Sequence, residues 1–406
     1  MLKAEEISQL AVFYRSHLLN DVMPFWEERT QDEEYGGFLN CFDRQGGLTD
    51  TDKYIWMQGR QLWMFSVLYN RIEKRESWLA LARQGRDFLV RHAYAGHGRW
   101  YYHLSRDGQQ VKQGTISIYS DLFMLAGLCE YALANDSLRE DLPLIEETFA
   151  AAARNFNDPN FKDLFHGVWS PERKQHGPFM IALNTFVVAG QVLGKDRVKK
   201  YIDECLKQIL SVFAKDQYRL LFESVGRDDA FMDTDAGRLV NPGHGLESMG
   251  FSMEAGEEYG NRTVIDRSVT VADWLYQAGY DQQYGGLISF LDAGKGEPPV
   301  TDWHRETQTD HRDKVWWVHA EALYTLCLIA TETGSELWFN RFKDLHDWCQ
   351  AHFYDREYKE WYSALSQDGT VKDSAKGSCW KAAYHLPRAL MKITLRLDNW
   401  NAKLKK

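Results

Sequence analysis

Apolar residues recur at the 3.6-residue helical period along almost the whole chain. The pattern predicts twelve helices, over 4–27, 57–72, 76–93, 115–134, 139–155, 178–193, 197–213, 241–258, 262–277, 314–332, 335–351 and 378–396. They fall into pairs. One member is rich in small and apolar residues, as in 115–134, and the next is more charged, as in 139–155. An inner ring of helices wrapped by an outer ring would show that contrast, because only the inner members are buried all round. Between pairs lie stretches of alternating aromatic and aliphatic residues, beginning at Tyr35, Trp100, Tyr284 and Tyr358, that run into Gly or Asp-Gly turns. They read as short β-hairpins. Three share a lead-in: Asp32 to Tyr35, Asp281 to Tyr284 and Asp355 to Tyr358.

A reactive side chain or two recurs where helix meets loop: Arg60, Ser120 with Asp121, Asn184, His244 with Glu247, His319 with Glu321, and His385. The intervals are roughly sixty residues, except for the 77 from His244 to Glu321. The polar, Gly- and Pro-bearing stretch 292–313 accounts for that excess. It reads either as a loop over a cavity mouth or as a surface insertion. Repetition at this period marks a repeat architecture. Six helix-hairpin repeats either close into an all-α (α/α)6 barrel or stack as an open solenoid. The terminal units are not the polar caps a solenoid needs, so closure is preferred. The expectation is one barrel domain over 1–406, with short hairpins on the cavity side and the marked residues gathered at one end of one cavity.

Aromatic residues make up 14% of the chain, with 15 Trp and 20 Tyr. That excess suits a cavity lined by flat rings, or a large core. The net charge is −10 and no basic run stands out, which argues against a nucleic-acid partner. The six cysteines are scattered without a C-x-x-C pair. The first ten residues lack the apolar segment of a signal peptide. No run approaches the ~20 apolar residues that cross a bilayer. A reducing, cytoplasmic setting without a membrane is therefore expected.

His244 and Glu247 are three apart, on one helix face, where the carboxylate either tunes the imidazole or favours the helix dipole. His385 lies inside the last apolar helix, as a site residue or a satisfied core histidine. Arg60, in an aromatic helix, needs an anion or several acceptors. Glu321 is an acid in an apolar inner helix and must be paired; Arg60 across the ring is the expected mate. His319, two residues away, belongs to another face. No H-E-x-x-H, G-x-G-x-x-G or P-loop motif occurs, so neither a metal nor a redox cofactor is expected. Ser120 beside Asp121 lacks a nucleophile-elbow context.

Imidazoles suit proton abstraction from a carbon next to a carbonyl, such as C2 of an open-chain aldose. Two of them on opposite faces would give the C2 epimer, with a cation stabilising the enediolate. A glycoside hydrolase or lyase using Glu247, Glu321 or Asp121, and a non-catalytic interaction protein, are the competing classes.

Five blocks carry a family likeness: DKYIWMQGRQLWMF at 52–65, NPGHGLE at 241–247, YGGLISF at 284–290, KVWWVHAEAL at 314–323, and the segment 360–390. With them the chain resembles the N-acylglucosamine 2-epimerase superfamily over nearly its whole length. That resemblance implies an (α/α)6 barrel that epimerises or isomerises free sugars by proton transfer, without a required cofactor. It places Arg60, His244, Glu247, Glu321 and His385 at functional positions, with His385 and His244 as base and acid on either face of C2. It also matches Glu223 to an acid near the site and Asn184 to a cavity-facing position. N-acylglucosamine, cellobiose, mannose and glucose 2-epimerases and mannose isomerases share this pattern. Trp380 stands where the N-acylglucosamine branch usually has Phe, and cellobiose and mannose enzymes carry Trp there. The resemblance therefore leaves an acetamido or a hydroxyl at C2 open. Animal-type members use ATP as an effector, for which the stretch from Pro171 to Gly177 is a nucleotide contact or simply a solvated loop. Members are often homodimers.

Overall fold

The helices with the most apolar sequence are buried around their whole circumference, and the more charged ones on one face only. The computed structural model describes residues 4–112, 114–158, 161, 173–294 and 296–404. Among them are twelve long helices. The first, α1, runs from Ala4–Ser16 through a π turn, His17–Val22, into Met23–Arg29. There follow α2 (Ile55–Arg71), α3 (Glu76–His92), α4 (Ile118–Ala134), α5 (Leu138–Asn155) and α6 (His176–Leu193). Then come α7 (Lys195–Lys207, continuing as a π turn over Gln208–Phe213), α8 (Pro242–Glu258) and α9 (Arg262–Gly279). The last are α10 (Trp316–Thr333), α11 (Glu336–His352) and α12 (His385–Leu404).

The even-numbered helices form the inner ring: each packs on the next, and α12 returns to α2. Five outer helices, α3 to α11, each pack on the inner helix they follow. The sixth pair joins the two ends of the chain, since α1 lies along α12. That contact closes the ring, and the result is an (α/α)6 barrel rather than a solenoid. Helix α6 is long and apolar enough, by length and composition, to cross a bilayer. Its apolar surface is used inside the ring, between α4 and α8.

Glycine sets the closest approach. A Cβ on Gly59 of α2 would fall 2.8 Å from the backbone carbon of Phe123 on α4, and one on Gly127 would fall 2.9 Å from the Gly59 carbonyl. Two backbones this close leave no room for a side chain.

Two hairpins form where the alternating pattern predicts them: Cys41–Phe42 with Leu48–Asp50, and Ala364–Leu365 with Val371–Asp373. From Trp100, Leu104 bridges Gln110, while His103–Leu104 pairs with Lys53–Tyr54 just ahead of α2. Among the described residues the stretch from Tyr284 shows no ladder of its own; Leu291–Asp292 pairs with Leu239–Val240 just ahead of α8. Arg173–Gln175 and Lys314–Val315 are held in the same way, by Ser224–Gly226 and Ala364–Leu365, ahead of α6 and α10. These ladders fix where four inner helices begin, and so fix what their first turns present.

The repeated lead-in is structural. One oxygen of each aspartate accepts the backbone N–H groups two and three residues on, as Asp32 does from Glu34 and Tyr35. The other takes a buried lysine: Lys53 at 2.8 Å from Asp32, Lys314 at 2.8 Å from Asp281, and Lys376 at 3.1 Å from Asp355.

The last helix starts at His385, not near 378. Pro387 lacks an N–H and is tolerated only in a first turn. The residues before it form a turn in which Ser378 and Lys381 exchange backbone hydrogen bonds. His385 is thus a helix-start residue rather than an interior one.

Candidate active site

First turns of the inner helices open onto a cavity of about 550 Å³. His244, Glu247, Arg60 and His385 all line it. His385 heads α12, and its Nδ1 donates to Glu321 Oε1 at 2.7 Å. The other Glu321 oxygen accepts from Arg388. A carboxylate only accepts, so the His385 proton sits on Nδ1 and Nε2 keeps its lone pair. Burial outweighs the pull of Glu321 and pushes the His385 pKa down to about 4. His385 is therefore a neutral base at physiological pH.

His244 is the opposite case. It lies in the first turn of α8, where the Asn241 side chain caps its backbone N–H at 3.0 Å. Its Nδ1 donates to Glu223 Oε2 at 3.0 Å. Burial works against its charge, but the Glu223 carboxylate prevails and raises its pKa above the ordinary histidine value. Despite its own burial, Glu223 is held at about 2 by the imidazoles of His244 and His176. One indole connects the two histidines: Trp317 lies 4.9 Å from the His244 ring and 5.8 Å from the His385 ring, tilted 33° and 39° to them. Both imidazoles thus flank the same Trp317 wall of one cavity.

Glu247 lies one turn beyond His244, 2% exposed; its Oε1 accepts no hydrogen bond among the described residues and stands 3.9 Å from His385 Nδ1. Burial first, and the Glu321 charge second, raise its pKa to about 8, so it is mostly a neutral acid near pH 7. The Arg60 guanidinium is caged by rings, 4.2 Å from Phe123, 4.6 Å from Trp56 and 4.9 Å from Tyr384. Its Nε has no hydrogen-bond partner among the described residues. The expected pairing of Arg60 with Glu321 is not found, because Arg388 takes Glu321 from within α12. The buried cation that was missed, Arg388, carries the same signal that marked Arg60: an arginine in an apolar helix, here three residues from His385.

Two other expectations are corrected. Asp121 is fully buried on α4, but it faces the hairpin at Arg99 and Trp100, pairing with the Arg99 side chain and accepting from the Trp100 N–H. Asn184 stands more than two turns into α6, past the cavity, and lines a different one. His319 does belong to another face: fully buried, it accepts from Leu287 N at 2.9 Å and donates to Val315 O at 2.8 Å. Trp380 and Glu223 line the cavity as expected, with Trp380 edge-on to Trp56 at 5.3 Å. Pro299, Thr301 and Arg305 make the stretch 292–313 part of the cavity lining. Of the stretch from Pro171 to Gly177, Pro171 and Glu172 lie outside the described residues, while Arg173, Gln175 and Gly177 form cavity wall rather than solvated loop.

The family model described as N-acylglucosamine 2-epimerase (GlcNAc 2-epimerase) matches residues 36–389. The chain belongs to the N-acylglucosamine 2-epimerase family. Epimerases of this kind are isomerases. The bovine (Bos taurus) N-acylglucosamine 2-epimerase is 29% identical over 399 residues, covering 95% of this chain and 91% of that protein. A cellobiose 2-epimerase from Bacteroides fragilis is 24% identical over 409 residues, covering 93% and 97%. The solved cellobiose 2-epimerase of Spirochaeta thermophila superposes with a TM-score of 0.83 at 21% identity, over 97% of this chain and 98% of that one, and shares the barrel.

Within this member of the N-acylglucosamine 2-epimerase family, two further features stand out. His176, fully buried, backs Glu223 from behind: its Nε2 meets Ser248 Oγ at 2.7 Å, and its Nδ1 lies 3.7 Å from Glu223 Oε1. Nothing in its local sequence marks it. Donor atoms of Glu247, Glu321 and His385 lie within 4.8 Å of one another, a spacing that could hold a cation. However, both Glu321 oxygens are engaged, by Arg388 and by His385 Nδ1, and the adjacent guanidinium opposes a second positive charge there.

Proposed function

We propose that this chain is a sugar 2-epimerase that interconverts the C2 epimers of a free reducing aldose, N-acyl-D-glucosamine and N-acyl-D-mannosamine first. One observation carries this: two imidazoles share a cavity, each with Nδ1 held by its own carboxylate, and their surroundings bias one neutral and the other charged.

In the open-chain sugar, the C2 proton is acidified by the C1 carbonyl. His385 Nε2 takes that proton, and the electron pair moves to O1, where Arg60 stabilises the developing charge. His244 then delivers a proton to the opposite face of C2. The reverse reaction uses the same groups in exchanged roles. Protein side chains carry every step.

Trp380 supports a second substrate class. Its indole in the cavity wall narrows the space for an acetamido group and suits a hydroxyl at C2, as in mannose, glucose or cellobiose. A hydrolase has weaker support. It needs two carboxyl groups roughly 5 Å or more apart and free to act, whereas Glu321 is locked between His385 and Arg388.

Incubation with N-acetylmannosamine, mannose, glucose and cellobiose in D2O tests the proposal. Deuterium appears at C2 of the true substrate and its epimer. Absence of C2 exchange in every aldose refutes it.

A further inference from the structure

His176 is a buried ionisable group that the proton-transfer steps do not use. Its chain neighbours Gln175 and Gly177 line the cavity, whereas His176 does not. Its ring lies within the wall, fully buried, 5.5 Å from the Phe213 ring. There Nε2 meets the Ser248 hydroxyl at 2.7 Å, and Nδ1 stands 3.7 Å from Glu223 Oε1.

Four side chains make a closed circuit. His244 and Ser248 stand about one turn apart on α8. His244 Nδ1 donates to Glu223 Oε2 at 3.0 Å, Glu223 Oε1 meets His176, and His176 returns to Ser248. The backbone fastens the same pieces: the His176 N–H donates to the Glu223 carbonyl at 3.0 Å, and Arg173–Gln175 pairs with Ser224–Gly226. Among the described residues, these two imidazoles are the only nitrogen groups at ion-pair distance from the Glu223 carboxylate.

Burial pushes the His176 pKa below the ordinary histidine value, so the ring is neutral and carries one N–H. A carboxylate only accepts, so that proton sits on Nδ1, toward Glu223, and Nε2 accepts from Ser248. At 3.7 Å the contact with Glu223 is electrostatic, too long for a hydrogen bond. Neither His176 Nδ1 nor Glu223 Oε1 has a hydrogen-bond partner among the described residues. An apolar ring would fill the same space without the cost of burying an imidazole. A carboxylate held at one oxygen alone turns easily about its last bond. Held from both sides, it keeps Oε2 on His244.

We propose that His176 is a positioning residue: backed by Ser248, it fixes the Glu223 carboxylate against His244 Nδ1 and so sets how the His244 ring faces the cavity. The catalytic consequence rests on the epimerase proposal; the geometry does not. The charged groups that face His244 are Glu223, Glu247 from its own helix and Arg60 from α2. Those that face His176 are Glu223 and His244. Glu223 is therefore the group through which His176 acts.

The test uses the full chain as wild type, His176→Phe, His176→Asn and Ser248→Ala. The His244 ring is titrated by NMR with histidine isotope-labelled at Cε1, and kcat and KM are measured with the aldose that exchanges at C2. Phe fills the ring's place without a donor, and Asn sets an amide N–H where Nδ1 stood. In His176→Phe, kcat falls about tenfold with KM nearly unchanged. His244 titrates about half a pH unit lower, because the released carboxylate turns away from it. Asn restores most of both. Ser248→Ala moves the His244 titration the same way by less. A His244 titration that stays in place or rises in His176→Phe overturns the inference, as does an Asn variant no better than Phe. If His176→Phe fails to fold, an unmoved His244 in Ser248→Ala overturns it instead. Absence of C2 exchange in wild type counts against the epimerase proposal alone, since the NMR titration needs no turnover.

Discussion

His385 Nδ1 stands 2.7 Å from Glu321 Oε1, and this contact decides which nitrogen of the base faces the cavity. Glu321→Gln preserves the shape but removes the charge that holds the tautomer. Its amide can also turn its N–H₂ toward His385 and reverse the donor. Turnover is expected to fall on the order of 100-fold, with KM nearly unchanged. Deuterium incorporation at C2 measures it; a loss of under threefold would mean that Glu321 does not orient the base.

The pH profile follows from the two imidazoles. The base must be unprotonated, so activity falls as pH drops through the His385 value, about 4. The acid must be protonated, so activity falls again as pH rises through the His244 value, which lies above the ordinary 6.5. The profile of kcat/KM is therefore a bell. Glu223→Gln removes the charge that raises His244, so its alkaline limb moves to lower pH. A limb that stays in place in that variant contradicts the assignment.

Glu247 makes stability depend on pH. Its folded pKa, about 8, lies above the ordinary 4.5. Below pH 4.5 both states hold the proton and nothing is lost. Between 4.5 and 8 the unfolded chain releases the proton and the folded chain keeps it, so stability declines as pH rises. Glu247→Gln cannot ionise. Its Tm should match wild type at pH 4 and exceed it by a few degrees at pH 8, as calorimetry would show.

Asp121→Asn separates structure from catalysis. It breaks the ion pair between buried Asp121 and Arg99, neither of which lines the cavity. The expected cost is about 3 kcal/mol of stability. The kcat/KM of the folded variant should stay at the wild-type value; a selective loss of turnover would return Asp121 to the site.

Gly59→Ala places a methyl group 2.8 Å from the Phe123 backbone. Helices α2 and α4 must part, at about 1–3 kcal/mol. Because Arg60 is the next residue and rests on the Phe123 ring, turnover should fall along with Tm. An unchanged Tm would show that the interface yields.

Much of this molecule was legible in the chain because its information is local. Apolar period and charge contrast identify inner and outer helices, since each helix reports its own burial through its own side chains. The motif blocks carry Arg60, His244, Glu247, Glu321 and His385, and all five meet at or beside one cavity. Pro387 was a local signal for the start of α12 that periodicity alone overrode. Other facts have no local signature. Asp121 and Asn184 recur at the same interval as the site residues, but chain spacing does not measure depth along a helix axis. That depth depends on where each helix begins, which ladders between neighbouring repeats decide. Glu321 needed a cation, and both Arg60 and Arg388 offered one; the choice rests on ångström distances across packed helices. The sixth helix pair is made of the first and last helices of the chain, and only ring closure brings them together. The opposed protonation of the two histidines likewise arises from burial and from carboxylates distant in sequence, 64 residues away for His385 and 21 for His244, so it exists only once the barrel is closed.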